Sequence, residues 1–393
     1  MKIQNLNPIS PSDLESMGLE WHTDADSTPY IAPEAVEVSQ AEAEAFYSAG
    51  NELYDMFCEA GQYVIDKNLF FDLDIPVSLI PTIKQSWEEE VHWHLYGRFD
   101  FAGGLDGKPI KLLEFNADTP TMLYESAVIQ WAMLKANGLD ENAQFNNIYE
   151  ALGENFKRMI TLGEDTANFD EVYEGWRILF SSVSGNAEEE RTARFLQEIA
   201  RGVGFESAFA YIEDVRFSPD EGVFFDDVNY EFLFKLLPWE SIAIDEPELA
   251  MLMRAIIENK VGIFLNPAYT LLFQSKRMLK ILWDLFPNHP LLLESSFEPL
   301  RAPKSGKQVQ KVSFGREGTN VSILDSTGAP IVQNGGDYGN FKSVYQEFCL
   351  QNESGGAFYQ PNVFFAYESC GLGFRKGGEI LDNYSKFVSH IIV

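Results

Sequence analysis

The sequence has 393 residues, 45% hydrophobic and 14% aromatic, with a formal net charge of −31. That much apolar material can build a large core, and the length suits two or three domains, so an intrinsically disordered chain is excluded. The acidic balance argues against a general nucleic-acid or anionic-membrane binder and is compatible with a cationic substrate such as a polyamine.

Residues 1 to 40 are rich in Pro, Ser and Asp and read as an irregular arm. Ser39, followed three residues later by Glu42, makes a capping box that predicts a helix running to Lys67. The first twenty residues lack the apolar core of a signal peptide, and no run approaches the length that spans a bilayer. With only Cys58, Cys349 and Cys370, widely scattered, these features predict a cytoplasmic protein. Pro76 and Pro81 bracket a turn, and residues 83–90 form a short helix. His92 and His94 alternate on what reads as one strand face. That spacing suits zinc, but no further Cys or His lies nearby, so ordinary pocket roles are favoured.

Residues 95–121 read as strand, Gly- and Asp-rich turn, strand, then the start of a helix. With period two, Arg98 and Asp100 share one strand face, and Glu114 and Asn116 share another. If the faces coincide, one wall carries two carboxylates, an amide oxygen and a guanidinium. Such oxygen donors suit Mg²⁺. Thr119 as N-cap and Pro120 at the first helical position predict a helix N-terminus, an anion site, beside that wall. The alternative is a surface hairpin with salt-bridged charges and an ordinary capped helix.

Residues 176–183 and 207–212 read as strands joined by a charged amphipathic helix over 187–202. This βαβ unit implies parallel strands in a separate α/β module. Residues 229–240 are predicted to form another helix carrying Trp239. Residues 266–286 read as one strongly apolar helix closed by Pro287, in which Lys276 either snorkels or contacts a phosphate. Residues 311–324 place strand formers on both sides of a small loop. Gly315 and Gly318 would let backbone N–H groups approach a phosphate, with Lys311 and Arg316 supplying positive charge. Residues 344–350 read as a buried strand, and 364–366 and 370–375 continue a β-rich tail.

Five of these stretches stand in an order that resembles the synthetase domain of the glutathionylspermidine synthase family. They are Arg98-Phe-Asp100, Leu113-Glu-Phe-Asn-Ala-Asp-Thr-Pro-Thr121, Ser275-Lys276 ahead of Leu-Trp-Asp-Leu-Phe-Pro-Asn-His, Gly315-Arg-Glu-Gly-Thr-Asn-Val-Ser322, and Tyr345-Gln346. The likeness runs from about residue 15 to the C-terminus and is greatest to short bacterial relatives consisting of that domain alone.

The resemblance implies a mixed α+β and α/β architecture, an ATP-grasp fold that is permuted and glutathione-synthetase-like, with an inserted α/β pre-ATP-grasp-like module. The implied divisions are an arm at 1–40, a catalytic region at 41–150 plus 261–393, and the module at 151–260. The implied cofactors are ATP and two Mg²⁺ ions, with Asp100, Glu114 and Asn116 as metal ligands. Lys276, Lys311, Gly315, Gly318 and Gln346 would contact ATP. Arg98, Arg316 and Arg375 would neutralise the transferred phosphoryl and the acyl phosphate. Thr119 and Thr121 fall where the family places two serines near its thiol-peptide substrate.

The implied activity is an ATP-dependent carboxylate–amine ligation through an acyl phosphate, joining a glutathione-like peptide carboxylate to a polyamine-like amine. Its partners would be small molecules, with no nucleic acid and no membrane. The alternative is a non-catalytic nucleotide-binding or regulatory protein that retains the site. Two departures stand out. No amidase module precedes Arg98, and Cys58 lies in a helical pattern without a nearby His, so amide hydrolysis is not expected. Val-Ser-Phe follows Lys311 where the family has Lys-Pro and an apolar residue.

Overall fold

The computed structural model describes residues 1–163 and 165–393. The chain opens with β1 (Ile3–Asn5), α1 (Pro11–Ser16) and β2 (Ile31–Val38). The expectation of an irregular arm is therefore corrected. Ile31 and Ala35 of β2 face one core while Ala32, Val36 and Val38 face the other. A strand buried on both faces shows no clean alternation, which is why it escapes a periodicity reading.

Helix α2 (Gln40–Lys67) has the predicted capping box. The Ser39 hydroxyl accepts from the Glu42 N–H at 3.3 Å, and the Glu42 carboxylate accepts from the Ser39 N–H at 2.9 Å. Asn68, at φ 55°, ends the helix in the left-handed conformation. Next come α3 (Ile80–Glu88) and the hairpin of β3 (Gly97–Ala102) and β4 (Lys111–Asn116).

The helix expected from Thr119 and Pro120 starts instead at residue 123, with Met122 at φ 65° just before it. A single π-helical turn (Glu125–Ile129) leads into α4 (Gln130–Ala136), followed by α5 (Ile148–Thr161) and α6 (Phe169–Val172).

The βαβ unit is β5 (Arg177–Ser182), α7 (Ala187–Gly202) and β6 (Glu206–Tyr211), with β5 and β6 parallel. A meander of β7 (Arg216–Ser218), β8 (Gly222–Phe225) and β9 (Val228–Tyr230) precedes β10 (Phe232–Lys235), α8 (Trp239–Asp245), α9 (Pro247–Glu258) and β11 (Ile263–Leu265). The helix expected over 229–240 is thus two strands, and only Trp239 and Glu240 are helical. Phe232, Leu233 and Phe234 are buried on both faces of a parallel sheet, so their apolar run cannot be told from a helix by period.

The single helix expected over 266–286 is α10 (Thr270–Gln274) and α11 (Met278–Leu285), broken at Ser275, whose ψ is 117°. The rest is strand: β12 (Ser295–Ser296), β13 (Lys307–Val312), β14 (Ser322–Asp325), β15 (Pro330–Gln333), β16 (Ser343–Glu347), β17 (Asn352–Ser354), β18 (Ala357–Ala366), β19 (Glu368–Gly377) and β20 (Lys386–Ile392).

These strands form separate sheets. The largest has the order β1-β2-β20-β19-β18-β3-β4, with β17 added on β18. The βαβ module supplies β11-β10-β5-β6, and the late strands form β12-β16-β13-β14-β15. Under the hairpin, Phe99 stacks on Phe115 with centroids 3.9 Å apart, and Phe57 of α2 meets Phe115 edge-on at 5.1 Å. Alternation then turns Arg98, Asp100, Glu114 and Asn116 away from this core and toward the β13–β16 sheet. Among the described residues, no helix is long and apolar enough to cross a membrane.

Candidate active site

The hairpin register places Asp100 opposite Glu114 and Arg98 opposite Asn116. A register shift follows Asp100, so Phe101 pairs with Leu112 and Leu113 is left without a partner on β3. Such a bulge keeps the apolar set on the core face and frees a main-chain group. The freed Leu113 carbonyl accepts from the Lys311 ammonium at 2.8 Å. One irregularity therefore ties the acidic wall to the sheet facing it.

The wall is dense with charge. Arg98 forks onto Asp100 through Nε at 2.7 Å and NH2 at 3.0 Å, and its NH1 donates to the Thr121 carbonyl at 2.8 Å. The Asn362 amide donates to Asp100 at 2.8 Å. Burial raises the Asp100 carboxyl above its ordinary value, and Arg98 offsets this only in part. The Glu114 carboxylate lies 2.9 Å from the Lys276 ammonium, which also donates to the Gly315 carbonyl at 2.6 Å. Burial opposes ionisation of Glu114 too, but Lys276 and Lys311 outweigh it and bring the carboxyl down to about 2. Lys311 donates to Gln346 Oε1 at 2.8 Å, and burial brings its ammonium down to about 8 despite the nearby Glu114.

The residues that the resemblance assigned to metal, ATP, phosphoryl group and substrate line one cleft between the β3–β4 wall and the β13–β16 sheet. Arg98, Asp100, Glu114, Asn116, Thr119 and Thr121 form the floor. Lys276, Lys311 and Gln346 stand opposite, Gly315, Arg316 and Gly318 close the roof, and Arg375 enters from β19 in the same sheet as the floor. The Arg375 guanidinium donates to the Asp382 carbonyl at 2.7 Å. Gly318 has φ +67°, and a Cβ there would lie 1.9 Å from the Leu381 carbonyl oxygen, so the roof loop packs tightly on Ile380 and Leu381. Val309, Val321, Ile323 and Phe348 add apolar side chains to the lining. The cleft is therefore amphipathic.

The helix N-terminus expected at Thr119 is absent there, because the helix starts later, as described above. The Thr119 hydroxyl instead accepts from Arg316 NH1 at 3.2 Å. His92 and His94 are buried outside any strand, and burial brings each imidazole down to about 4. His94 lies 3.1 Å from the Tyr54 hydroxyl and 3.0 Å from the Ala117 carbonyl, an ordinary structural role.

Three supporting residues were not legible from local pattern. Asn362 reaches Asp100 from β18. Gln274 accepts from the N–H groups of Ala117 and Asp118 at 2.9 and 3.2 Å. Asn266 accepts from the Leu95 N–H at 2.8 Å and donates to the Tyr96 and Asp118 carbonyls at 2.9 and 2.8 Å. Beneath them, buried Asp118 accepts from the Lys235 ammonium at 3.0 Å and from the Trp239 N–H at 2.8 Å.

The donor set can be tested against a metal. Among the described residues, no group of three or more His, Cys, Asp or Glu side chains is placed to hold an ion. Asp100, Glu114 and Asn116 supply two carboxylates and one amide oxygen, and Asn362 Oδ1 is a further buried oxygen beside Asp100 without a hydrogen-bond partner. Hard oxygen donors of low number fit Mg²⁺, which keeps its remaining positions for water and phosphate.

A cleft of this kind, roofed by a Gly-containing loop and set between two sheets, belongs to a glutathione-synthetase-like fold of the ATP-grasp type. In fold the chain is similar to a glutathione synthetase-like effector from Globodera pallida, with TM-score 0.56 and 12% identity over 98% of each chain. The chain belongs to the glutathionylspermidine synthase preATP-grasp family, whose pattern matches residues 1–393. It is 30% identical to the Haemophilus influenzae protein named "Putative acid--amine ligase", over 98% of this chain and 97% of that one. It is 28% identical to trypanothione synthetase of Crithidia fasciculata over 78% of this chain, and so spans about half (48%) of that longer protein.

Proposed function

We propose that the chain is an ATP-dependent acid–amine ligase that forms an amide through an acyl phosphate, taking a glutathione-like peptide carboxylate and a polyamine-like amine. The observation that carries this reading is the pairing of an acidic wall with buried cations across one amphipathic cleft. Lys276 and Lys311 stand opposite Asp100 and Glu114, and the apolar side chains of the lining suit a purine. Lysines buried against carboxylates are released for phosphate when a divalent ion takes the carboxylates.

Asp100, Glu114 and Asn116 would hold Mg²⁺, with Asn362 behind Asp100. Bound there, the metal would supply charge neutralisation on the transferring phosphoryl group. The chain's own cations do the remaining work. Lys276 and Lys311 bind the polyphosphate, Gln346 orients Lys311, and Arg98, Arg316 and Arg375 hold the acyl phosphate oxygens. Thr119 and Thr121 receive the peptide carboxylate. The closed roof keeps water from the acyl phosphate.

The test is ADP release with Mg·ATP across a matrix of thiol peptides and polyamines. ADP formed only when one acid and one amine are both present, with stoichiometric amide, is the expected result. ATP binding with no turnover for any pair would overturn the reading.

A further inference from the structure

Glu240 lies outside the cleft, on the βαβ module, yet its carboxylate reaches the roof. Oε1 accepts from Arg316 NH2 at 2.5 Å, while Oε2 is buried without a partner, and the residue is only 4% exposed. Arg316 belongs to the roof loop and lines the cleft, and its other terminal nitrogen donates to Thr119.

The base of Glu240 is rigid. Its neighbour Trp239 is held by three contacts: its N–H donates to Asp118, its indole N–H donates to the Asn266 carbonyl at 3.0 Å, and the Lys235 ammonium sits 4.4 Å from the ring centroid. All these groups are buried. The carboxylate is therefore presented by a fixed corner to a loop that is also held by the Lys276 donation to the Gly315 carbonyl and by the packing of Gly318 on Leu381. A buried carboxylate with one guanidinium partner and one bare oxygen is costly when that partner leaves. Opening the roof would impose that cost.

We infer that Glu240 is a positioning residue that latches the roof loop shut through Arg316, leaving the other guanidinium N–H groups aimed into the cleft. The inference rests on the ligase reading for its consequence. An acyl phosphate exposed to water is hydrolysed: the water oxygen bonds to the acyl carbon, the C–O bond to phosphate breaks, and carboxylate and inorganic phosphate are regenerated. The net change is then ATP and water to ADP and phosphate. The latch thus governs coupling, meaning the number of ADP released per amide formed.

Two measurements on the full chain test it, using Glu240→Gln, which keeps the shape, and Glu240→Asp, which keeps the charge. The first is hydrogen exchange of residues 313–321 without nucleotide, with β18 and β19 as an internal reference. Exchange in the loop is expected to rise about tenfold in Glu240→Gln while the reference stays unchanged. Unchanged loop exchange, or an equal rise in both segments, would overturn the latch. The second is the ADP-to-amide ratio. It should climb from about one to above about two in Glu240→Gln and fall back in Glu240→Asp, because loss of closure admits water. A ratio unchanged in Glu240→Gln would also overturn the inference. If wild-type protein makes no amide with any pair, the ligase reading fails, and the exchange measurement still decides the latch alone.

Discussion

Replacing Asp118 by Ala is expected to cost several kcal/mol of stability, and the loss should shrink as pH rises. Asp118 is fully buried and accepts from Lys235 and from the Trp239 N–H. Without it, the Lys235 ammonium, 1% exposed, keeps the Leu237 carbonyl at 2.9 Å and the face of the Trp239 ring at 4.4 Å. Breaking a buried pair by removing one partner costs about 3–5 kcal/mol. A ceiling follows from proton release. Neutralising a lysine of ordinary pKa costs about 4.6 kcal/mol at pH 7 and about 1.9 kcal/mol at pH 9. Burial already lowers the Lys235 pKa, and Asp118 opposes this. In Asp118→Ala the folded state drops its proton while the unfolded state keeps it, so stability rises with pH across that window.

The assay is urea unfolding of wild type, Asp118→Ala, Lys235→Met and the double variant at pH 7 and pH 9. The double variant should recover most of the loss, because no charge is stranded. A pH-independent loss, or a double variant no more stable than Asp118→Ala, would refute the argument.

Asp100→Ala and Glu114→Ala should each lower ADP formation by about a thousandfold with the far-ultraviolet circular dichroism unchanged, since each removes charge stabilisation at the reacting phosphate. Normal turnover in either would remove these residues from the site. Lys311, whose ammonium titrates at about 8, should lose affinity for ATP as pH rises from 7 to 9, and Lys311→Arg should flatten that slope. Gly318→Ala combines a left-handed φ of +67° with a Cβ 1.9 Å from the Leu381 oxygen. It is expected to loosen the roof and lower kcat, whereas wild-type kcat would mean that the loop accommodates the methyl.

What was legible in the sequence was local. The hairpin wall shows itself because Asp100 and Glu114 pair across a short turn and period two keeps their neighbours in the core. The capping box at Ser39 and Glu42 is likewise a four-residue signal. The support of the site is non-local: Asn362 reaches Asp100 across 262 residues, and Gln274 reaches Asn116 across 158. No spacing rule sees such pairs. The misread helix over 266–286 has a similar cause. Apolar period continues through Ser275-Lys276-Arg277, while tertiary contacts break the backbone. Lys276 N donates to Ser313 O at 2.9 Å, and Arg277 clamps the Asp72 and Ser343 carbonyls. The lysine that reads as a snorkelling helix residue is thereby turned into the cleft.

Strand β3 sits between β4, its hairpin partner, and β18, made 262 residues later. At about 5–20 residues per second of synthesis, the free edge of β3 would wait roughly 10–50 s for its second neighbour. During that interval a strand carrying Phe99 and Phe101 offers unpaired backbone to any other nascent copy. The strand that bears the proposed metal ligand Asp100 is thus also an aggregation hazard during synthesis. Its yield on expression should respond to translation speed and temperature more than its final stability would suggest.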